Sequence, residues 1–213
     1  MAKIKLVCFD VDGTLAEGNS WQILTAGLGY PPEKVVEFYQ KAKSGKLSFE
    51  EAERRYTQML QESGKATKPL IKELFTQVNF RPGAKELITY LKKKGYPIYL
   101  ISGAIDLYVS HLAKKLRVDG LYANSSLSFD NKGVLQKIHY RERQGELKVE
   151  QLRDLVQKLG IKMNETVFVG DSENDLKVFQ ATGHGIAVHC TNEDLKKIAW
   201  KVVDSLEKIK EIL

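Results

Sequence analysis

The sequence predicts an α/β protein: a Rossmann-like three-layer core around a mainly parallel sheet, with an all-helical cap inserted near its start. Three observations predict it. Apolar runs without alternation at 3–9, 97–101, 166–169 and 185–189 read as strands buried on both faces. Helical stretches separate these runs, the arrangement that builds a parallel sheet. Two carboxylate clusters far apart in sequence each follow one such run, Asp10 and Asp12 after the first, Asp171 and Asp175 after the third.

In chain order, the first strand stops at Asp10 and a helical stretch follows. Pro31-Pro32 opens a helix through Val35, Val36, Phe38 and Tyr39 to about Lys43. Ser48-Phe49-Glu50-Glu51 has capping-box spacing and starts another, to about Glu62. Pro69 starts a third, through Leu70, Ile71, Leu74 and Phe75. No strand is predicted between 17 and 79, so this stretch is the expected cap, and 1–16 with 80–213 the expected catalytic core. After Arg81-Pro82-Gly83 a helix runs through Leu87, Ile88 and Leu91 and ends at Gly95. The strand 97–101 leads through Ser102-Gly103 into a helix containing Leu107, His111, Leu112 and Leu116. Residues 121–138 read as short strands around Asp130-Asn131-Lys132-Gly133, a hairpin signal. A helix from about 148 to 159 ends at Gly160; strand 166–169, a helix over 173–182 and strand 185–189 follow. Val202-Val203 adds a small edge strand before a last helix.

Composition narrows the function classes. The chain has 213 residues, 43% hydrophobic and 28% charged, ordinary for a soluble globular protein. No apolar run approaches the roughly 20 residues that span a membrane, and the N-terminal run is too short for a signal peptide. A cytoplasmic chain is expected. Two cysteines, Cys8 and Cys190, make neither a disulfide framework nor a zinc knuckle. The net charge is +6, but the lysines are scattered near helix ends, where they complement helix dipoles. A nucleic-acid partner is therefore not expected. The four histidines show no i, i+4 pair and indicate no histidine-metal site.

The carboxylates carry the chemistry. In an open parallel sheet, ligands bind at the carboxyl ends of the strands, where strand order reverses. If the first strand and 166–169 are neighbours, Asp10, Asp12, Asp171 and Asp175 meet in one crevice. Close carboxylates repel, so the cluster needs a hard cation or raised pKa values. A magnesium-dependent site for phosphoryl chemistry is the leading reading. One carboxylate can attack phosphorus and form an aspartyl-phosphate. A second can protonate the leaving oxygen and then activate water.

Asp10-Val11-Asp12-Gly13-Thr14-Leu15 resembles the first motif of the haloacid dehalogenase superfamily. Gly170-Asp171-Ser172-Glu173-Asn174-Asp175 is similar to its fourth motif, and Ile101-Ser102-Gly103 to its second. Lys148, 23 residues before Asp171, has the spacing of the third motif in the phosphoserine phosphatase branch. The helical cap, Arg81-Pro82-Gly83-Ala84 and the hairpin before Lys148 also resemble that branch. The resemblance implies Asp10 as nucleophile and Asp12 as general acid/base. It implies magnesium on the carboxylates of Asp10 and Asp171 and the main-chain carbonyl of Asp12, supported by Asn174 and Asp175. Ser102, the Gly103 amide and Lys148 would hold the phosphoryl oxygens.

The cap departs from that branch. Its glutamate for the substrate ammonium is matched by Asn19, and its arginine for the substrate carboxylate by Tyr56, beside Arg54 and Arg55. Phe49 matches a cap aromatic. The expected activity is therefore magnesium-dependent hydrolysis of a small-molecule phosphomonoester. Phosphoserine hydrolysis with Arg54 or Arg55 as carboxylate clamp is an alternative, as is phosphotransfer to a small alcohol. Outside the enzymes, the alternative is a phosphometabolite-binding sensor, which needs neither a nucleophile nor a proton shuttle.

Overall fold

β1 (Leu6–Phe9) lies inside a sheet of seven strands, between β2 (Ile98–Ile105) and β5 (Thr166–Gly170). The structure is a computed structural model that describes residues 3–213. With β3 (Gly120–Phe129), β4 (Leu135–Tyr140), β6 (Gly185–Val188) and β7 (Lys201–Val203), the order is β4-β3-β2-β1-β5-β6-β7. Every neighbouring pair is parallel except the β3–β4 hairpin. The chain builds outward from β1 to one side through β2 and β3, then crosses to the other side at β5. Strand order therefore reverses between β1 and β5, which places a crevice at their carboxyl ends.

Helices cover both faces. Val7 and Phe9 pack with Leu87 and Leu91 of α5 (Ala84–Lys93) and Leu112 of α6 (Asp106–Leu116). Leu6 and Cys8 face the other way, against Leu152 and Val156 of α7 (Gln144–Leu159) and Phe179 of α8 (Leu176–Thr182). Alternate residues of β1 thus enter different cores, which is why the strand shows no polar alternation. Burying a side chain such as Phe9 or Phe168 contributes about 1.5–3 kcal/mol. The short α9 (Glu193–Ile198) completes the second face through Leu195.

Four helices occupy the segment between β1 and α5: α1 (Ser20–Gly27), α2 (Glu33–Lys43), α3 (Phe49–Glu62) and α4 (Lys68–Thr76). The two chain passages that connect them to the sheet run side by side. Glu17 N donates to Asn79 O at 2.9 Å, and Arg81 N to Leu15 O at 3.0 Å. The segment is also pinned to the hairpin, where Leu135 N donates to Ala66 O at 2.8 Å and Lys68 N to Gly133 O at 2.8 Å. Its helices therefore stand over the carboxyl ends of the strands.

Four local features differ from the sequence reading. α1 forms a separate helix, capped by the Asn19 side chain, which accepts from Trp21 N at 3.0 Å and Gln22 N at 3.4 Å. β2 continues past Ile101 to Ile105, with a register shift against β3 between Ser102 and Ile105, so Ser102 and Gly103 lie in an irregular strand. α7 starts at Gln144, one turn early, so Lys148 sits inside the helix. The last helix is a short 3-10 turn, Glu207–Glu211.

Candidate active site

The sheet brings the two aspartate clusters together. β1 and β5 pair in register, Phe9 beside Val169, and Asp10 N donates to Val169 O at 2.9 Å. One carboxylate oxygen each from Asp10, Asp171 and Asp175 then lies within 4.8 Å of the others. The turn after Asp10 depends on Gly13, whose φ is +77°. A Cβ there would meet Asp171 Oδ2 at 2.4 Å, so a side chain would drive the clusters apart. Gly170 is constrained likewise, because a Cβ would lie 2.4 Å from the Asp175 carboxyl.

Each carboxylate is held by a defined set of donors. Asp171 accepts from Thr14 Oγ1 at 2.6 Å. Asp175 Oδ2 accepts from Asp171 N and Ser172 N, both at 3.1 Å, and thereby fixes the loop that carries Asp171. Lys148 is buried beneath them and donates to Asp10 Oδ2 at 2.8 Å and Asp175 Oδ1 at 2.6 Å. Its ammonium therefore faces the aspartates. Burial presses its pKa down, but the charges of Asp10 and Asp175 outweigh this and the pKa is raised. Burial, then the charge of Asp10, lifts the Asp171 carboxyl to about 7. Asp175 is also raised, chiefly by burial, with Lys148 opposing.

Asp12 lies outside this oxygen cluster. Its Oδ2 accepts from Ser20 N at 3.1 Å and Ser20 Oγ at 2.9 Å, while its buried Oδ1 has no partner. Burial is the main reason its pKa rises to about 7. A carboxyl that keeps its proton near neutrality suits a group that must donate one. The oxygen-only donor set and its like charges, offset by one ammonium, fit a small hard cation such as magnesium.

A cavity of about 450 Å³ opens above these groups. Asp10, Asp12, Asp171, Ser102, Gly103 and Asn174 line its floor. Ser102 is fully buried, and its Oγ accepts from Ala104 N at 3.2 Å. Six aromatic side chains line the upper part: Trp21, Phe38, Tyr39, Phe49, Tyr56 and Tyr140.

The residues expected to contact substrate from the helical segment separate into two groups. Asn19, Phe49 and Tyr56 line the cavity. The Asn19 carboxamide is engaged in capping α1, and the Tyr56 hydroxyl is bonded to Thr25 Oγ1 at 2.7 Å. Arg54 and Arg55 do not line it: their side chains are exposed and both pair with Glu51, at 2.8 and 2.6 Å. One turn of helix explains this. α3 presents Phe49, Ala52, Glu53 and Tyr56 to the cavity, and residues 54 and 55 fall on its outer side.

Among the groups at the site that were not singled out from sequence are Ser20, Thr14, Glu53 and Tyr140. Thr14 could have been found, since it belongs to the turn that carries Asp10 and Asp12. Ser20, Glu53 and Tyr140 carry no local signal, because only the packing of α1, α3 and β4 brings them to the cavity.

An acidic cluster at the switch point of a parallel sheet, under a helical roof, defines a phosphoryl-transfer centre. The model of haloacid dehalogenase-like hydrolases matches residues 4–183, and the chain belongs to that family. It is a phosphatase of this family, with magnesium as the fitting cofactor. The chain is 31% identical over 189 residues to the phosphoserine phosphatase of Lactococcus lactis subsp. lactis, spanning 88% of this chain and 84% of that one. It is 29% identical over 216 residues to the phosphoserine phosphatase of Methanocaldococcus jannaschii, spanning 99% and 97%. Among solved structures, a phospho-aspartyl intermediate analogue of phosphoserine phosphatase superimposes with a TM-score of 0.78 at 26% identity, covering 100% of both chains. No helix among the described residues is long and apolar enough to cross a membrane.

Proposed function

We propose that the chain hydrolyses a small phosphorylated metabolite through an aspartyl-phosphate on Asp10, with residues 17–79 acting as a cap. The observation that carries this reading is the approach of Asp10, Asp171 and Asp175 oxygens within 4.8 Å, with Asp10 and Asp171 lining the cavity floor. An Asp10 carboxylate oxygen attacks phosphorus and the bond from phosphorus to the leaving oxygen breaks. Asp12 gives its proton to that oxygen. Water then attacks the phosphorus, passes a proton to Asp12, and inorganic phosphate leaves Asp10. Asp10, Asp171 and the Asp12 carbonyl would hold magnesium, which would offset the negative charge gathered on the phosphoryl group and the aspartates. Ser102 and the Gly103 amide bind phosphoryl oxygens. Lys148 holds Asp10 in place, and Asp175 and Asn174 support the metal-binding loop. The free thiols of Cys8 and Cys190 support a cytoplasmic setting.

Phosphate release from p-nitrophenyl phosphate tests this directly. Turnover is expected with magnesium and not with EDTA. Asp10→Asn should remove roughly four orders of magnitude or more while leaving the fold intact. Near wild-type turnover by Asp10→Asn would sink the assigned mechanism.

A further inference from the structure

The upper part of the cavity has a chemical character of its own. Its aromatic rings form one connected wall: Phe38 lies 5.8 Å from Tyr56, Tyr56 6.3 Å from Trp21, Trp21 6.1 Å from Tyr140, and Phe49 is stacked on Tyr140 at 5.8 Å. Among the described residues no lysine, arginine or histidine lines the cavity. Glu53 is its one ionisable acid away from the aspartate floor. Its Oε1 accepts from Tyr140 N at 2.6 Å, which fixes the carboxylate against the aromatic wall. Lys137 lies near enough to act on the Glu53 charge, but it neither lines the cavity nor pairs with Glu53.

Three substrate features are disfavoured or favoured by this surface. A carboxylate on the leaving group would meet Glu53 and the aspartates with no cation to pair with. A polyol would need many hydrogen-bonding partners, yet the Asn19 Oδ1 already accepts from Trp21 N and Gln22 N, and the Tyr56 hydroxyl is bonded to Thr25. An organic cation meets aromatic faces and a carboxylate together, the combination that binds alkylammonium groups. We propose that this cavity selects phosphomonoesters whose leaving alcohol carries an ammonium and no carboxylate, held between Glu53 and the aromatic wall. The proposal rests on the phosphomonoesterase reading above and deepens it. The reaction is unchanged: the P–O bond to the amino alcohol breaks, Asp12 supplies its proton, and water yields inorganic phosphate.

The experiment compares two probes of one shape, phosphocholine and 3,3-dimethylbutyl phosphate, which differ only by the positive charge. L-phosphoserine and p-nitrophenyl phosphate complete the panel, all with magnesium. kcat/KM for phosphocholine should exceed that of its neutral isostere tenfold or more, and L-phosphoserine should fall below phosphocholine. Glu53→Gln keeps the acceptor for Tyr140 N and should shrink the phosphocholine-to-isostere ratio to threefold or less. Phe49→Leu, which keeps bulk and removes the π face, should reduce the same ratio. A ratio near one in the wild type, or a lead for L-phosphoserine, overturns the proposal while p-nitrophenyl phosphate turnover keeps the parent reading. A ratio unchanged by Glu53→Gln removes Glu53 and overturns the proposed site. No turnover of any probe overturns both readings together.

Discussion

The floor and the roof of the cavity are built in opposite ways. On the floor, aspartates hang from strand ends and are tied by short hydrogen bonds to Thr14, Ser20, Lys148 and the backbone of the 171–172 loop. In the roof, aromatic rings meet edge to face, tilted or stacked, and a single carboxylate, Glu53, stands among them. The floor is a place where charges are fixed before substrate arrives, which is what transition-state stabilisation requires. The roof offers surface and shape, which on the proposal above would sort leaving groups. A floor substitution should therefore lower kcat/KM for every phosphomonoester, by an amount set by the chemistry of its leaving oxygen and not by its shape, whereas a roof substitution should change ratios between substrates of different shape or charge.

Asp12→Asn is the strongest test of the floor after Asp10. It keeps the shape that Ser20 binds but removes the proton donor, and general acid–base catalysis contributes about 10²–10⁴-fold. The loss should be smaller for p-nitrophenyl phosphate, whose leaving oxygen needs little protonation, than for alkyl phosphates, whose leaving oxygen needs it. A substrate-specific loss of the reverse pattern would mean that Asp12 recognises rather than protonates.

Magnesium should also act on stability, because it relieves repulsion among Asp10, Asp171 and Asp175. A ligand at 100 times its Kd stabilises by about 2.7 kcal/mol, which for a chain of this size is roughly 5–10 °C in Tm. Thermal melts with magnesium and with EDTA should show that shift in the wild type. Asp171→Ala should abolish it, and its melting temperature in EDTA should equal or exceed the wild type, since one of the repelling carboxylates is gone. A magnesium shift that survives Asp171→Ala would place the cation elsewhere.

Much of the floor was legible in the sequence because its residues follow strand ends, and strand ends are written in short apolar runs. Asp10, Asp12, Asp171 and Asp175 needed only one further condition, that β1 and β5 be neighbours, and they are. The helical segment over the site could be seen from Pro31, Ser48 and Pro69, each of which marks a helix start. α1 was not, since its eight residues bury only Ser20, Leu24 and Thr25 and give no clear apolar stripe. The roof was least legible. Phe38 and Tyr39 read as one apolar helix face, but a face turned to a cavity and a face turned to a core have the same spacing. Glu53 and Tyr140 are brought together by a hydrogen bond across 87 residues, which no local pattern encodes.

Ser20 crosses the division between the two regions and so can break the comparison. It belongs to α1, yet both its amide and its hydroxyl bond Asp12 Oδ2. Ser20→Ala removes the hydroxyl and keeps the amide. A hydrogen bond to a neutral group contributes about 0.5–1.5 kcal/mol, so kcat/KM should fall roughly two- to tenfold. The loss should not depend on substrate shape, as for a floor residue. A change confined to one leaving group would show that position in the roof, rather than contact with Asp12, decides its role.

The smallest expected effect is at Arg54 and Arg55. Phosphoserine hydrolysis by a guanidinium clamp would require one of them to leave Glu51 and reach the cavity. Their side chains are 62% and 53% exposed, and α3 turns Glu53 and Tyr56 inward in their place. Bringing either to the substrate would mean rotating α3 and withdrawing Tyr56 from Thr25. Exposed ion pairs such as these contribute about 0–1 kcal/mol to stability. Arg54→Ala combined with Arg55→Ala should therefore leave Tm within a few degrees and kcat/KM for L-phosphoserine within about twofold, by the tenfold-per-1.36 kcal/mol scale of catalysis. The measurement is made against p-nitrophenyl phosphate on the same protein. A tenfold drop for L-phosphoserine alone would show that α3 does turn when substrate binds. Specificity would then come from a rearranged roof, and the aromatic wall with Glu53 would be a resting arrangement rather than the selecting surface.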